Sequence, residues 1–352
     1  MPSRDHVYII TDSVTNSVFE GQVLAPILNK LEQDTELNII LFSFEARTLT
    51  HEQKITLNNK HPRLKVKLFY RPRFWGRFTL NVCILSFRHT IRKLESYTIT
   101  TRGPLAGWIA LQGMSDACSN VTIQARGLLA EEYWYANSRE WLKLPIHWFR
   151  YRQFKSLEQI VYGNLAKTMS NKVSIEAVST AMKKHFIQKH NVPESLFTVA
   201  QADIPNIIPA QKVRSWHDEA RHELNISQDR YIYCYAGSGK AWQCPQEIIS
   251  FFIEKRKKKS ESYLLILTQD TAIFSQLCKK AGLNLKDYTV MHVPHAKLFN
   301  YLSAADAGLI FREKHILNWV SRPTKILEYQ SVGLKIIHNN TVEMLSHIST
   351  TS

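Results

Sequence analysis

The chain has 352 residues, of which 44% are hydrophobic and 21% charged, a globular composition with ample core and room for two domains. Its formal net charge of +15 and isoelectric point of about 9.5 favour nucleotide phosphates, nucleic acid or an acidic membrane surface as partners, without choosing among them. The five cysteines are odd in number and include no Cys-x-x-Cys pair, which argues against a disulfide framework and a zinc site.

Short apolar segments alternate with amphipathic stretches along the first half of the chain. This alternation is typical of βα units built around a parallel sheet. We predict strands at residues 7–11, 37–42, 64–70, 97–101, 121–124 and 172–178, and helices at 19–32 and 105–114. Residues 141–166 are predicted to form a loop and a helix rich in aromatic and basic side chains.

The second half repeats this rhythm. We predict strands at residues 231–235, 263–267, 289–293, 307–311 and 334–337, and helices at 246–257, 271–280 and 296–303. Pro205 and Pro209 interrupt the pattern between the halves. The sequence therefore predicts an α/β protein with two domains, residues 1–203 and 204–352.

Polar clusters follow four predicted strands of the second half. Because ligands bind beyond the carboxyl ends of the strands in an open parallel sheet, we expect these clusters to share one edge. In chain order they are Gly237, Ser238, Gly239 and Lys240; Thr268, Gln269 and Asp270; Pro294 and His295; and Arg312 and Glu313.

Residues 321–337 predict a phosphate-binding turn, a short helix and a strand. Ser321 is predicted to cap the helix, Pro323 fits its first turn, and Gly333 ends it. Free amides at a helix start attract anions. Thr324 and Glu328 share a helix face and are separated by roughly 6 Å along the axis, about the distance from a diphosphate to the ribose hydroxyls of a nucleotide. The segment therefore predicts phosphates at the helix start and ribose at Glu328.

A P-loop is an alternative interpretation of Gly237 to Lys240. That loop requires a glycine five positions before Gly239 and a serine or threonine after Lys240. Cys234 and Ala241 occupy those positions, so the pattern argues against a P-loop.

Two runs, residues 71–78 and 148–152, interleave arginine with aromatic residues. Such mixtures suit a lipid interface, although a packed surface cover with snorkelling arginines is the alternative. The basic run 255–259 is expected to be a solvated helix end. No signal peptide and no apolar run of about 18 residues is visible, so we expect a cytoplasmic protein, able to act peripherally at the inner membrane face.

Residues 301–312, followed by 321–325 and by Glu328 and Tyr329, resemble a motif of the family-4-like retaining glycosyltransferases of the GT-B fold, also called glycosyl transferases group 1. Residues 101–107 and 125–132 resemble the N-terminal motifs of the same family more loosely. The resemblance spans roughly residues 5–340.

The resemblance implies two Rossmann-like domains facing each other across a cleft, with the acceptor on residues 1–203 and a nucleotide-sugar donor on 204–352. It implies a retaining hexosyl- or glycosyltransferase, of the EC 2.4 class, that acts on a cell-surface polysaccharide or lipid-linked glycan. It also implies no cofactor and no bound metal, because cationic side chains and the helix dipole stabilise the departing nucleotide diphosphate.

Specific residues carry these implied roles. Glu328 would hold the ribose and the amides around Pro323 the diphosphate, while Arg312 and Lys240 would neutralise the leaving group. The other implied donor-side residues are Gly237, Ser238, Gly239, His295, Ser321, Arg322, Thr324 and Lys325. Arg126 and Glu131 are interpreted as catalytic cleft residues or, alternatively, as a structural ion pair. Asp12, Ser13, Gly21 and Arg102 are implied on the acceptor side.

The sequence departs from the family pattern in ways that keep other functions open. Gln124 stands where the family usually has an aspartate, and the given sequence ends before the last strand and helices that the family normally adds. A naturally short form, a truncated product and a fragment all fit this ending. A catalytically degenerate binding protein and a nucleotide-sugar epimerase of the same fold are the alternatives. We predict no nucleic-acid partner, because no RNA-binding, zinc-finger or helix-turn-helix pattern is present.

Overall fold

The computed structural model describes residues 4–12, 14, 19–48, 57, 59–71, 77–201 and 206–347. The chain divides into two compact units, Met1–Ala200 and Gln201–Ser352. The domain boundary predicted at residues 203 and 204 lies outside the described residues.

The N-terminal unit contains a seven-stranded sheet in which all neighbouring strands are parallel. Its strands are β1 (Arg4–Thr11), β2 (Leu37–Glu45), β3 (Leu64–Tyr70), β4 (Tyr97–Arg102), β5 (Cys118–Ala125), β6 (Val173–Ala177) and β7 (Phe197–Val199). The spatial order is β3-β2-β1-β4-β5-β6-β7. The six predicted strands are confirmed, whereas the short strand β7 was not predicted.

The helices of this unit follow the strands as βα connections require. They are α1 (Ala25–Gln33), α2 (Arg77–Ile91), α3 (Gly103–Gly113), α4 (Leu129–Asn137), α5 (Leu144–Glu158), α6 (Ala166–Thr168) and α7 (Thr180–His190). Two π-helical segments, Glu20–Leu24 and Gln159–Leu165, lead into α1 and out of α5. The predicted helix at 19–32 and the predicted loop and helix at 141–166 are thereby confirmed.

The C-terminal unit contains a five-stranded parallel sheet. Its strands are β8 (Tyr231–Ala236), β9 (Ser262–Leu267), β10 (Tyr288–Met291), β11 (Ala307–Ile310) and β12 (Lys335–His338), in the order β10-β9-β8-β11-β12. Its helices are α8 (Ala210–Glu223), α9 (Pro245–Lys258), α10 (Thr271–Lys280), α11 (Leu298–Ser303), α12 (Ile316–Trp319) and α13 (Lys325–Ser331). No described helix is both long and apolar enough to cross a membrane.

Both faces of the C-terminal sheet are covered by apolar cores. Along β8, Ile232 and Cys234 belong to one buried cluster, whereas Tyr233 and Tyr235 belong to the other. This alternation is the period-two pattern of a strand buried on both sides. All residues of β9 are buried as well, which explains why its sequence is almost continuously apolar.

The strand order reverses once in each sheet, and ligands of open parallel sheets bind at such switch points. In the N-terminal unit the reversal lies between β1 and β4, and in the C-terminal unit between β8 and β11. The polar residues that follow β8 and β11 are therefore in the position where this architecture places a ligand.

The packing of α13 on the sheet depends on one glycine. A Cβ atom at Gly308 would lie 2.4 Å from a ring carbon of Tyr329, so only glycine lets the ring pack against β11. The Tyr329 hydroxyl accepts a hydrogen bond from the Ala236 amide at 2.9 Å and donates to the Leu309 carbonyl at 3.4 Å. Tyr329 thus fixes α13 to both strands of the switch point.

Candidate functional site

The loop that follows β8 is joined to the loop that follows β9. The Gly237 amide donates to the Leu267 carbonyl at 3.0 Å, and the Gly239 amide donates to Asp270 Oδ2 at 2.7 Å. The Asp270 amide in turn donates to Thr268 Oγ1 at 3.0 Å. Two of the predicted polar clusters therefore form one connected edge.

Lys325 reaches this edge from the first turn of α13. Its side chain is buried, its Nζ donates to Gln243 Oε1 at 2.9 Å, and Nζ lies 4.4 Å from the centroid of the Tyr235 ring. A Cβ atom on Gly237 would lie 2.8 Å from this Nζ. Gly237 also has a φ of 153°, a backbone conformation that other residues rarely adopt, so glycine suits this position for both reasons.

Arg312 follows β11 on the other side of the switch point and is also buried. Its Nη1 lies 3.4 Å from Asn318 Oδ1, and its main chain exchanges two hydrogen bonds with the Asn339 side chain, at 3.2 and 2.7 Å. Within the described part of the chain, the buried Nε of Arg312 has no hydrogen-bond partner. The guanidinium therefore keeps hydrogen-bonding capacity that the described protein groups do not use.

Burial makes the charge of both cations costly. It lowers the pKa of Lys325 well below its ordinary value, and the neighbouring Arg312 lowers it further, whereas Glu328 opposes the shift. Burial also lowers the pKa of Arg312. Because each shift reflects a cost of charge in a buried site, an anion bound beside the pair would be stabilised by both groups.

The predicted cap at Ser321 is wrong. α13 begins at Lys325 with Thr324 as its N-cap residue, and no side chain caps it. The Ser321 amide and Oγ both donate to the Asn318 carbonyl, at 3.2 and 2.8 Å. Ser321 is engaged there because α12 ends just before it, so its groups close the C-terminus of α12 instead of opening α13.

The start of α13 still offers main-chain donors. The amides of Leu327 and Glu328 donate to the Thr324 carbonyl at 2.9 and 3.2 Å, which closes the first turn. Within residues 206–347, the amides of Thr324 and Lys325 are the donors at this end that no carbonyl accepts. Both amides lie in the turn that carries the buried Lys325 side chain. Main-chain and side-chain donors therefore belong to the same turn.

The other predicted donor-side residues are placed as follows. Glu328 is half-buried and electrostatically coupled to Lys325 and to Tyr329. Lys240 is exposed, with its Nζ 5.0 Å from the centroid of the Trp242 ring, and Arg322 Nη2 donates to the Gln201 carbonyl at 3.1 Å. The Ser238 carbonyl accepts from the Tyr235 hydroxyl at 2.8 Å, Pro323 is buried, and the His295 side chain lies outside what the structure describes.

Asp12 lies at the end of β1 and is already engaged. Its backbone is left-handed, with φ of 49°, and its carboxylate accepts from the Ala46 amide at 2.8 Å and pairs with Arg71. Gly21 lies in a π-helical segment, where a Cβ atom would meet nothing within 4 Å. Ser13 lies outside the described residues.

The interpretation of Arg126 and Glu131 as an ion pair is wrong. Arg126 pairs with Glu176 at 3.4 Å, and Glu131 Oε1 accepts from the Tyr151 hydroxyl at 3.1 Å. The reason is the direction of α4, on which residue 131 faces α5. Arg102 donates to the Gln22 side chain and carbonyl, and burial followed by repulsion from Arg126 lowers its pKa to about 10.

A cavity of about 630 Å³ lies in the N-terminal unit, lined mainly by α4 and α5. The lining positions on each helix recur at spacings of three and four, as one face of a helix requires. They are Leu129, Glu132, Tyr133, Ala136 and Asn137 on α4, and Ile146, Phe149, Arg150, Gln153, Phe154 and Leu157 on α5. Asp12 also lines the cavity, whereas Gly21, Arg102, Arg126 and Glu131 do not.

Several of these residues were not predicted from the sequence. Glu132, and not Glu131, contributes a carboxylate to the cavity, and Gln243 and Asn318 hold the two cations of the C-terminal unit. The helical spacing of the cavity stripe was a usable signal for Glu132. Among the described residues, no group of histidine, cysteine, aspartate and glutamate is arranged to hold a metal ion. The expectation that no metal is needed stays a prediction.

No protein-family model and no curated protein sequence matches this chain. Solved structures do. The sucrose-phosphate synthase of Thermosynechococcus elongatus is similar with a TM-score of 0.67 at 13% identity, over 97% of this chain and 82% of that one. HepE of Anabaena in complex with UDP and glucose gives 0.64 at 12% identity, over 96% and 82%. WaaG, a glycosyltransferase involved in lipopolysaccharide biosynthesis, gives 0.62 at 10% identity, over 96% and 81%.

These similarities establish the fold. The chain has the GT-B architecture, with two α/β units built on parallel sheets of seven and five strands. The fold implied by the resemblance to glycosyl transferases group 1 is thereby confirmed. At such low identity the similarity concerns the fold alone, so activity has to be argued from the residues of this chain.

Proposed function

We propose that the chain is a glycosyltransferase whose C-terminal unit binds a nucleotide-diphosphate sugar. The observation that carries the proposal is the pair of buried cations, Lys325 and Arg312, at the switch point of a parallel sheet and close to Glu328. Two structures of similar fold support it, because HepE binds UDP with glucose and, in a second complex, UDP-glucose.

Each donor-side group has a chemical role in this proposal. The diphosphate lies against Lys325, Arg312 and the free amides of Thr324 and Lys325, and the ribose hydroxyls donate to Glu328. When the bond between the sugar and the diphosphate breaks, negative charge grows on the leaving diphosphate, and preorganised cations and amides stabilise that charge. Lys240, which is exposed on the loop after β8, is proposed to neutralise the same leaving group.

We place the acceptor on the N-terminal unit. The polar head of the acceptor would enter the cavity between α4 and α5, where Asp12 and Glu132 supply carboxylates. Arg126 and Glu131 remain proposed catalytic cleft residues and Arg102 a proposed acceptor-side group, and both arginines lie at the carboxyl edge of the neighbouring strands β5 and β4. The acceptor is a cell-surface polysaccharide or lipid-linked glycan, which the lipopolysaccharide role of WaaG supports. We also propose retention of the anomeric configuration and action without a metal, at the cytoplasmic face of a membrane.

The test is product analysis with UDP-, GDP-, ADP- and CMP-sugars, with and without membrane extract as acceptor. Release of nucleotide from one donor, with the sugar transferred to the extract, supports the proposal. Conversion of a donor to its epimer without acceptor would identify an epimerase. Nucleotide binding without any release of product would identify a degenerate binding protein.

A further inference from the structure

The 3-10 turn Trp141–Lys143 and the start of α5 expose an unusual number of apolar side chains. Six large hydrophobic residues among the nine positions 141–149 are exposed, with fractions from 38% for Leu144 to 77% for Trp141. We call them the α5 apolar surface: Trp141, Leu142, Leu144, Ile146, Trp148 and Phe149. Single exposed hydrophobic residues are ordinary, but six within nine positions are far more than a solvated helix needs, and such a group is typical of an interaction site.

The charges around this surface are mainly positive, and the nearest acidic residue along the chain, Glu140, is paired with Lys143 at 3.1 Å. Residues 141–157 contain four basic residues and no acidic one: Lys143, Arg150, Arg152 and Lys155. The Arg152 guanidinium lies 5.4 Å from the centroid of the Trp148 ring, so cation and ring share one exposed face of α5. A partner that covers this surface must accept apolar side chains and supply negative charge beside them.

We propose that the α5 apolar surface docks into the headgroup region of an anionic lipid bilayer. Tryptophan rings occupy headgroup depth because they combine an apolar body with an N–H donor. Leucine, isoleucine and phenylalanine side chains enter the upper acyl region, and the basic side chains meet lipid phosphates. The composition of residues 141–157 supplies all three kinds of contact on one short segment.

Docking would also bring the bilayer next to the cavity that α4 and α5 line. Ile146 and Phe149 belong both to the α5 apolar surface and to the lining of the cavity. The cavity therefore opens where the bilayer would lie. This inference rests on the proposed function and deepens it, because the acceptor then is an amphiphile that stays anchored in the bilayer while its polar head enters between α4 and α5.

The basic run 255–259 is a weaker site for the same partner. Arg256 pairs with Asp287 at 2.7 Å, so one cation of this run is already neutralised within the C-terminal unit. Its helix, α9, also contributes none of the exposed large hydrophobic residues found among the described positions. The run therefore lacks the apolar component that interfacial binding requires.

The test is sedimentation of the full chain with vesicles of phosphatidylcholine, with and without phosphatidylglycerol. Wild-type protein should bind the anionic vesicles preferentially. The double variant Trp141→Ser/Trp148→Ser should bind at least about tenfold more weakly, and Arg152→Gln about fivefold more weakly, since each basic residue near an anionic surface contributes about one fivefold factor. Leu285→Ser is the matched control, because Leu285 is 78% exposed in the C-terminal unit, and it should bind like wild type.

Three results would overturn the inference. These are wild-type protein that ignores anionic vesicles, a double variant that binds them as tightly as wild type, and self-association that the double variant abolishes while vesicle binding is absent. The last result would assign the surface to a second copy of the chain. Nucleotide affinity of the same variants, measured by calorimetry, should match wild type, so a failure of docking is distinguishable from a failure of the proposed function.

Discussion

Lys325 and Arg312 are held in place by neutral partners, Gln243 and Asn318. A neutral partner does not offset the free energy that a cation loses when it is buried away from water. An incoming phosphate does offset it, so the phosphate binds favourably. The same feature makes both the stability of the protein and its ligand binding depend on pH.

Lys325 should lower stability at neutral pH. Its pKa in the folded protein lies below the ordinary value of 10.5, so between those two values the unfolded chain binds more protons and the free energy of unfolding rises with pH. We expect Lys325→Met to be more stable than wild type near pH 7, by about 1–3 kcal/mol, because an apolar group replaces a buried cation. Denaturant titrations should show this advantage shrinking toward pH 10.5. An advantage that grows with pH would contradict the assignment.

Ligand binding should take up protons at the same residue. A bound diphosphate raises the pKa of Lys325 toward its ordinary value, so affinity for a nucleoside diphosphate should fall as pH rises above the lowered pKa. Calorimetry in buffers of different ionisation enthalpy measures the proton uptake directly. In Lys325→Met the uptake should be smaller, and uptake equal to that of wild type would place the anion elsewhere.

Glu328 should act on the ribose and not on the phosphates. We expect Glu328→Gln to weaken nucleoside diphosphate binding by about 1–3 kcal/mol, the usual cost of a lost hydrogen bond to a charged group. Inorganic diphosphate, which has no ribose, should bind the variant no more weakly than wild type. Glu254→Gln, at an exposed position of α9, is the control for a general charge effect. Equal losses for both ligands would refute the ribose assignment.

At the scale of elements, strands with apolar runs were predictable and edge elements were not. β9 is buried throughout and its sequence is almost continuously apolar, whereas β7 (Phe197–Val199) has two exposed residues out of three and carries no recognisable pattern. The π-helical segments were not predicted as such, because their apolar spacing resembles that of an α-helix.

The parts of the candidate donor site that lie within one short segment could be proposed from the sequence. The turn bearing Lys325 and Glu328 and the loop at Gly237 were predicted from local patterns. Gln243 was not, because only the tertiary fold brings it to Lys325. Asn318 was not either, because its short helix α12 was not predicted. Glu132 lines the cavity and its neighbour Glu131 does not, because one residue along a helix turns the side chain by about 100°.

The packing of α13 on β11 gives a stability prediction. Gly308→Ala places a Cβ atom 2.4 Å from the Tyr329 ring and should lower the free energy of unfolding by about 1–3 kcal/mol. Gly21→Ala is the matched control, since nothing lies within 4 Å of that position, and it should be neutral or stabilise the protein by up to about 1 kcal/mol. Thermal or denaturant unfolding checks both, and an unaffected Gly308→Ala variant would contradict the packing.

At the scale of the whole molecule, the net charge of +15 comes from exposed and buried cations, and added salt affects ligand binding by the two kinds differently. Added salt screens exposed charges strongly and buried ones much less. We expect vesicle binding through the α5 apolar surface to weaken steeply between low and physiological salt, whereas nucleotide binding at Arg312 and Lys325 should change less. Parallel sedimentation and calorimetry across a salt series measure the two slopes. Equal slopes would mean that both ligands use surface charge.

Whether Arg312 and Lys325 hold a nucleotide's diphosphate is decided by titration calorimetry of nucleoside diphosphates against the matching monophosphates. We predict that at least one diphosphate binds wild type roughly tenfold or more tightly than its monophosphate, because charge-assisted hydrogen bonds to the second phosphate are added. Arg312→Gln and Lys325→Met should each reduce that preference while the variants remain folded by circular dichroism. A chain that binds no nucleoside diphosphate, or a preference that both variants keep in full, would contradict the proposed donor site.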